Sequence, residues 1–471
     1  MLRTVYGRTV STPSVGRQHS YVRRVTLSSE WTRVSLIPNK RRKLLLATTT
    51  ALILAGTVGC TSTDTASPDS ESDVPKPTVT ITSTPENVVL GGFPTDAEPV
   101  ATVKPGEVVQ IDTLTSAGLT DPTMSPTEYF AQFGVEEAEI LPDMTAFWEN
   151  LDSYTNYGPH IVTGPINVEG AEPGDTLMVE ILDVKTRTGY GVSYTGSDSG
   201  VFSATYPGNR EGDAPLDIPV TSDESFAHAT PGVGQHLLRT GVAESGVNKG
   251  EDVTFFNDGT EVPLQEFFGV MAVKPVEGEH VGFYPGAPAF ETGVQNSVPP
   301  GTYGGNLDTR DYTSGATLYL PVNQSGAGFF VGDGHSVQGD GEVAGTANEQ
   351  SLTGTFRFTV LKGQTSAGPS GEDANNFLIH GIDYDLQRAL KLATGETVAF
   401  LERTKGLTTA EAYSLTSISV NFTISEAVDA TQIVTAHIPK SLWADTGKVE
   451  QTDLAKQALT PASTLTVPDK A

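Results

Sequence analysis

The chain predicts a turn-rich, mainly β protein, and three observations carry that prediction. Glycine (49) and proline (30) are too abundant in 471 residues for a helical bundle. Apolar residues at 37% against charged residues at 18% suffice for a packed core rather than a disordered chain. Short runs of alternating polarity recur between turn residues, which is the period of half-buried strands. By size alone two or three domains are expected. A formal charge of -28 removes nucleic acid as a partner, because binding phosphates needs clustered Lys and Arg.

From the N-terminus, ten of the 29 basic residues but only one of the 57 acidic ones precede Cys60, so the body is more acidic than the total. Lys40-Arg41-Arg42-Lys43 followed by the apolar run to Gly59 has the basic and apolar regions of a secretion signal, and is too short for a membrane span. It stops at Thr57-Val58-Gly59-Cys60, which resembles a bacterial lipobox, with Thr57 where Leu is usual. Residues 1–59 are therefore expected to be an N-terminal extension and lipoprotein signal, and Cys60, the sole cysteine, the lipidated residue of an exported protein facing outward. Arg41-Arg42 also loosely resembles a twin-arginine signal, which suits export of a folded, metal-loaded protein. Residues 60–77, rich in Ser, Thr, Pro and Asp, cannot bury enough apolar surface to offset their ordering entropy and read as a solvated tether.

The folded body begins near Thr78, with a mainly β region over 78–365 and an α+β region over 366–471 of the same unit. Strands are expected at 176–181, 317–322 and 355–360, the first preceded by the turn Glu172-Pro173-Gly174-Asp175 and the last followed by Leu361-Lys362-Gly363. Over 383–402 Leu386, Ala389, Leu390, Ala393, Val398 and Leu401 approximate a helical stripe, with Gly395 as its candidate break. Thr408-Thr409-Ala410-Glu411 has the spacing of a capping box and predicts a second short helix, and alternating strands follow near 418–422 and 433–438.

Chemistry-bearing residues concentrate over 304–349: Asn306, Asp308, Asp333, His335, Asp340, Glu342 and Glu349, with Arg310 the only cation. Asp333 and His335 flank Gly334, and side chains at i and i+2 of an extended chain point the same way, so a carboxylate and an imidazole can converge on one cation. Carboxylates with imidazole and no thiolate suit zinc or another divalent transition metal, with calcium at an all-oxygen position. The Gly-Asp-Gly steps equally suit solvent-exposed β-turns, but nothing in a turn requires His335. His160, ahead of a strand, is placed to reach the same site, and His380 lies just before the helix. His228, His236, His280 and His437 lack such context. With no nucleophile elbow, no nucleotide-binding glycine loop and Cys60 committed to the terminus, water activated by a metal is the expected nucleophile.

The stretches HIVTGPINVEGAEPGDTLMVEILDV (160–184), FFGVMAV (267–273), VPPGTYGGNLD (298–308), LYLPV (318–322), GDGHSVQGDGEV (332–343), GTANE (345–349), AYSLTSISVNF (412–422) and HIPKSL (437–442) resemble, in order, the acetamidase/formamidase family. The resemblance implies a β-sandwich or barrel-like scaffold with a mixed α+β C-terminal part. It also implies hydrolysis of short linear amides to carboxylate and ammonia, dependence on zinc with calcium as an alternative, and a homodimer or larger homo-oligomer. Carried onto this chain, the resemblance marks His160, Asn306, Asp308, Asp333, His335, Glu342 and Glu349 without assigning each a role. The chemistry of these groups is then read with Asp308, Asp333 and His335 as metal ligands, His160 or Glu349 completing the set, Glu342 and Asp340 as catalytic carboxylates, and Asn306 as a substrate contact. The pattern departs at Val89-Leu90-Gly91, where the related sequences carry His-Trp-Gly. That departure leaves a second reading, a catalytically reduced metal-binding or structural lipoprotein on the same scaffold.

Overall fold

The structure is a computed structural model that describes residues 74–195, 200–203, 235–276 and 293–443. The expected export signal, Cys60, most of the tether, His228 and His280 lie outside these residues. Among the described residues no helix is long and apolar enough to cross a membrane.

The body is mainly β, as its composition predicts. A nine-stranded sheet takes the order Val79–Ile81, Val108–Asp112, Leu352–Leu361, Thr176–Thr186, Thr317–Pro321, Ser370–Glu372, Asn376–Asp383, Gln432–Pro439, Asn421–Glu426. A second sheet runs Gly304–Asn306, Phe267–Ala272, Phe329–His335, Ile161–Val168, Val88–Leu90, with Ala101–Val103 added parallel to Ile161–Val168. One apolar cluster contains Val179, Ile181, Leu318, Phe356 and Phe358 of the first sheet and Val162, Val270, Phe329 and Val331 of the second, so the two pack face to face as a sandwich. A smaller four-stranded sheet joins Tyr190–Tyr194, Gln235–Val242, Asp252–Asn257 and Thr260–Pro263.

Alternation along Thr176–Thr186 explains how one strand serves two layers. Leu177, Val179 and Ile181 enter the sandwich core, while Met178 joins Phe377, Phe400 and Leu401 under the C-terminal helices. Glu180 accepts from Arg357 Nε at 2.7 Å and Nη2 at 2.6 Å, its directly opposed partner on the next strand.

The expected strands at 176–181, 317–322 and 355–360 are present, extended to Thr176–Thr186 and Leu352–Leu361 in two cases. The C-terminal helix differs from expectation: Leu386–Lys405 is unbroken, and Gly395 does not divide it. A mid-helix glycine costs about 1 kcal/mol, whereas here Asp385 caps two N-terminal amides, Gly406 closes the C-terminus in the left-handed region, and Ala389, Ala393, Phe400 and Leu401 are buried. The helix lies so close to the sheet that a Cβ on Gly381 would fall 2.0 Å from the Ala389 carbonyl oxygen. The capping box at Thr408 and Glu411 starts the next helix, Thr409–Ser419. That helix takes the first residues of the strand expected at 418, which begins instead at Asn421. Two short helices, Pro126–Ala131 and Pro142–Glu149, have no sequence expectation and cover a separate apolar cluster around Phe130, Phe147 and Tyr190. The nine-stranded sheet crosses position 365, since Thr317–Pro321 pairs with Ser370–Glu372.

Candidate functional site

The site grows out of the second sheet. In Phe329–His335 the spacing of Asp333 and His335 brings both side chains to one place, opposite the strand Phe267–Ala272, where Phe267 pairs with His335, Phe268 with Gly334 and Val270 with Gly332. Between these pairs, Gly269 leaves an opening. A Cβ built on it would meet Asp308 Oδ1 at 2.2 Å, Asp333 Oδ2 at 2.7 Å and His335 Cε1 at 2.9 Å. The Gly269 carbonyl also receives the amides of Leu307 at 2.8 Å and Asp308 at 3.3 Å, which brings the third side chain in.

Backbone strain marks the same residues. Five non-glycine residues among those described occupy the left-handed region, and three are Asp308 (φ 41°), Asp333 (φ 52°) and Glu342 (φ 43°). Such conformations cost on the order of 1–2 kcal/mol each and persist where the surroundings enforce them. At Asp308 part of that enforcement comes from Gln338, whose Nε2 donates to the Asp308 carbonyl at 2.8 Å.

Within the cluster His335 Nε2 lies 3.3 Å from both Asp333 Oδ2 and Glu349 Oε2, and His335 Nδ1 lies 3.7 Å from Asp308 Oδ1. Ligand atoms of Asp308, Asp333 and His335 come within 4.8 Å of one another, and so do those of His335, Glu342 and Glu349. A further group that sequence reasoning missed joins Asp308 and Glu342 to Glu426 and Asp429. Both newcomers stand at the end of Asn421–Glu426 and in the turn after it. Asp429 is bonded to Asn306 Nδ2 across 123 positions of sequence. No histidine or glycine flags Ser425-Glu426-Ala427-Val428-Asp429. Gly269, by contrast, was visible as a glycine inside an otherwise apolar strand, a common sign of close approach.

Burial raises the carboxyls of Asp308, Glu342 and Glu426 well above the usual carboxylate range, reinforced by their mutual repulsion, and raises Asp429 to about 6. Asp333 goes the other way: the opposing effect of burial is overcome by His160 and His335, which hold it below its ordinary value. For His335 burial pushes down, but Glu349 and Asp333 outweigh it and the imidazole is raised.

Of the remaining expected site residues, Asn306 is buried with Oδ1 unpaired, and His160 stands at the edge with Nε2 3.8 Å from Asp333 Oδ2. Asp340 is not brought in. It is exposed, and the charges acting on it are Arg310, Asp311 and His437 rather than the cluster. The step Asp340-Gly341-Glu342 turns one acid outward and the other inward. Val89 packs against the sandwich core in register with Val162, and the adjacent Gly91 amide bonds the His160 carbonyl at 2.6 Å.

The donor set meets the needs of a divalent cation. Among the described residues, both carboxylate oxygens of Asp308 and Nδ1 of His335 are buried without a hydrogen-bond partner, Nδ1 and Oδ1 standing 3.7 Å apart. Such groups are costly unless something pairs with them. The gap over Gly269 is where side-chain atoms of Asp308, Asp333 and His335 converge; carboxylates with one imidazole match the ligands of zinc, and the all-carboxylate group of Asp308, Glu342, Glu426 and Asp429 is the one that suits calcium.

A β-sandwich of this architecture is shared with solved acetamidase structures. An acetamidase from Bacillus halodurans superposes with a TM-score of 0.56 at 24% identity, covering 78% of this chain and 100% of that one. A predicted acetamidase/formamidase from Thermoanaerobacter tengcongensis gives 0.55 at 21% identity, covering 78% and 97%. The sequence profile of the Acetamidase/Formamidase family matches residues 149–226 and 287–445, and the chain belongs to that family. A formamidase of Methylophilus methylotrophus is 29% identical over 208 residues, 39% of this chain and 47% of its own length. An acetamidase of Mycolicibacterium smegmatis is 31% identical over 208 residues, 39% and 49% respectively. The chain thus spans about half the length of these curated relatives.

Proposed function

We propose that the protein hydrolyses short-chain linear amides of the formamide and acetamide type to carboxylate and ammonia, using a divalent cation, zinc first, held by Asp308, Asp333, His335 and Glu349. The observation that carries this reading is the convergence over Gly269 of Asp308, Asp333 and His335, with Asp308 Oδ1, Oδ2 and His335 Nδ1 lacking a hydrogen-bond partner among the described residues, in a chain of this family. When bound, such a cation supplies the Lewis acidity that activates water and polarises an amide carbonyl.

The protein's own groups account for the rest. Glu342 is buried beside the cluster with its carboxyl raised, which suits a base that takes a proton from the attacking water and hands it to the departing nitrogen. Asn306 Oδ1 is a buried acceptor without a hydrogen-bond partner among the described residues, which supports a role in accepting from the N–H of an amide substrate. The lipobox at Cys60 extends the reading to an enzyme anchored to the membrane and facing outward, and the family resemblance extends it to a homodimer or larger homo-oligomer.

The test is ammonia release from formamide, acetamide and propionamide, with elemental analysis of the same purified protein. Activity lost to a chelator and regained with zinc is expected, and His335→Ala should lose both stoichiometric metal and turnover. A variant that keeps both would overturn the assignment. The second reading, a catalytically reduced binding or structural lipoprotein, draws on Val89, an apolar side chain beside the strand that leads from His160. Under it a chelator would lower thermal stability with no turnover to abolish.

A further inference from the structure

Glu349 reaches the cluster from a segment, 346–350, that belongs to no strand. The segment lies between the end of Phe329–His335 and the strand Tyr190–Tyr194, with one isolated bridge to each, from Glu349 to His335 and from Glu349 to Val192. On one flank Glu349 and Val192 exchange amide bonds at 2.9 Å. On the other, Ser336 N donates to the Asn348 carbonyl at 3.1 Å and Gln350 N to the Gly334 carbonyl at 2.7 Å. Side chains alternate along an extended segment. Glu349 therefore faces His335, with Oε2 3.3 Å from Nε2, while its neighbour Asn348 and the neighbour of His335, Ser336, meet on the opposite face.

That opposite face carries an ordered set of hydrogen bonds. Asn348 Nδ2 donates to Ser336 Oγ at 2.8 Å and to Thr254 Oγ1 at 3.2 Å. Ser336 passes its own hydrogen to the Asn348 carbonyl at 3.3 Å, and Thr254 passes its hydrogen to the Arg239 carbonyl at 3.4 Å. All three side chains are buried. One amide thus ties together the residue after His335, the residue before Glu349 and the strand Asp252–Asn257 of the four-stranded sheet. A buried asparagine is costly unless it makes such bonds, so an apolar residue would serve better if the position needed only filling. Gly191 provides the room: a Cβ on it would lie 2.5 Å from Asn348 Oδ1 and 2.9 Å from the Glu349 carbonyl oxygen, and its backbone is not left-handed.

We propose that Asn348 is a positioning residue of the cation site, fastening the segment of Glu349 and the end of the His335 strand to the four-stranded sheet through Thr254, so that both ligands are held in register with each other. The inference rests on the cation reading above and gives the four-stranded sheet a task, since none of the converging ligand atoms comes from its strands. Metal ligands tolerate displacements of only about 0.2 Å, and Asn348 is joined directly to the backbone of Glu349. Groups that orient ligands without touching the metal are worth about 10-fold to 100-fold in affinity.

The test is calorimetric titration of the metal-free full-length protein with zinc, alongside its melting temperature without metal. Asn348→Ala should bind zinc about 10-fold to 100-fold more weakly. Thr254→Val keeps the side-chain shape but removes the hydroxyl, and should weaken zinc by about 5-fold to 10-fold, the worth of one hydrogen bond. Thr254→Ser keeps the hydroxyl and loses a buried methyl, so it should melt at a lower temperature yet bind zinc as wild type does. Packing alone would give the reverse, with affinity indifferent to the hydroxyl. If Asn348→Ala does not fold, the Thr254 pair decides. Zinc affinity within about twofold of wild type in folded Thr254→Val, or a loss in Thr254→Ser equal to that in Thr254→Val, would overturn the proposal. A wild-type protein that binds no zinc would overturn the cation reading and this inference together, whereas unaffected variants of a zinc-binding wild type would overturn this inference alone.

Discussion

Gly269→Ala is the sharpest perturbation of the site, because the glycine supplies nothing but room. Gly269 is not in the left-handed region, so alanine can adopt its backbone without strain. The added Cβ, however, would lie 2.2 Å from Asp308 Oδ1 and 2.7 Å from Asp333 Oδ2, where ordinary contact begins near 3.4 Å. The Asp308 carboxylate must retreat by about 1 Å, and metal ligands tolerate displacements of only about 0.2 Å. Losing one carboxylate in this way should weaken zinc by about 100-fold or more, equivalent to about 2.8 kcal/mol at 1.4 kcal/mol per tenfold. The measurement is calorimetric titration of metal-free wild type and variant with zinc, with far-ultraviolet circular dichroism to show that both are folded. A folded Gly269→Ala that binds zinc with wild-type stoichiometry and affinity would refute the placement of the cation among Asp308, Asp333 and His335.

Further outcomes follow from the same structure. Glu342→Gln should keep bound metal but lose at least 100-fold in kcat, as expected for removal of a proton carrier, whereas Asp340→Asn should change ammonia release less than twofold because Asp340 is exposed and belongs to none of the groups of converging ligand atoms. His380 is buried between the Tyr312 hydroxyl at 2.6 Å and Thr435 Oγ1 at 2.9 Å, and burial lowers its pKa to about 4. Its unfolded form takes up a proton first, so the stability it confers is present above pH 6.5 and lost as pH falls toward 4, by up to about 3 kcal/mol. Denaturant unfolding of His380→Gln at several pH values should therefore fall less steeply across that window, and an unchanged slope would contradict the assignment. Gly381→Ala should lower the melting temperature by more than 5 °C or prevent folding, since its Cβ would strike the Ala389 carbonyl.

Local signals in the chain carried their meaning into the fold wherever the physics is local. Strand alternation at 176–181 and 355–360, the turn before Thr176 and the capping box of Thr408 and Glu411 each depend on a few neighbouring residues, and each stands where the sequence places it. Gly395 misled because helix propensity is a small quantity that caps and a buried face outweigh. Asp333 and His335 were legible as a pair because two-residue spacing on a strand sets their direction without reference to the rest of the chain. Asp340 and Glu342 have that same spacing yet separate, because the chain there is not a strand and Glu342 turns inward through a left-handed backbone.

What the sequence by itself determined is the β class, the positions of the longer elements and the residues, Asp308 through Glu349, that could supply ligands to a cation. Only the tertiary structure decided the membership and geometry of the site. Glu426 and Asp429 arrive from a distant hairpin, Gly269 provides the empty space, and Asn348 reaches Thr254 of the four-stranded sheet. These contacts depend on strand order and register, which are fixed by burying both faces of the sandwich at once, and no stretch of neighbouring residues contains that information.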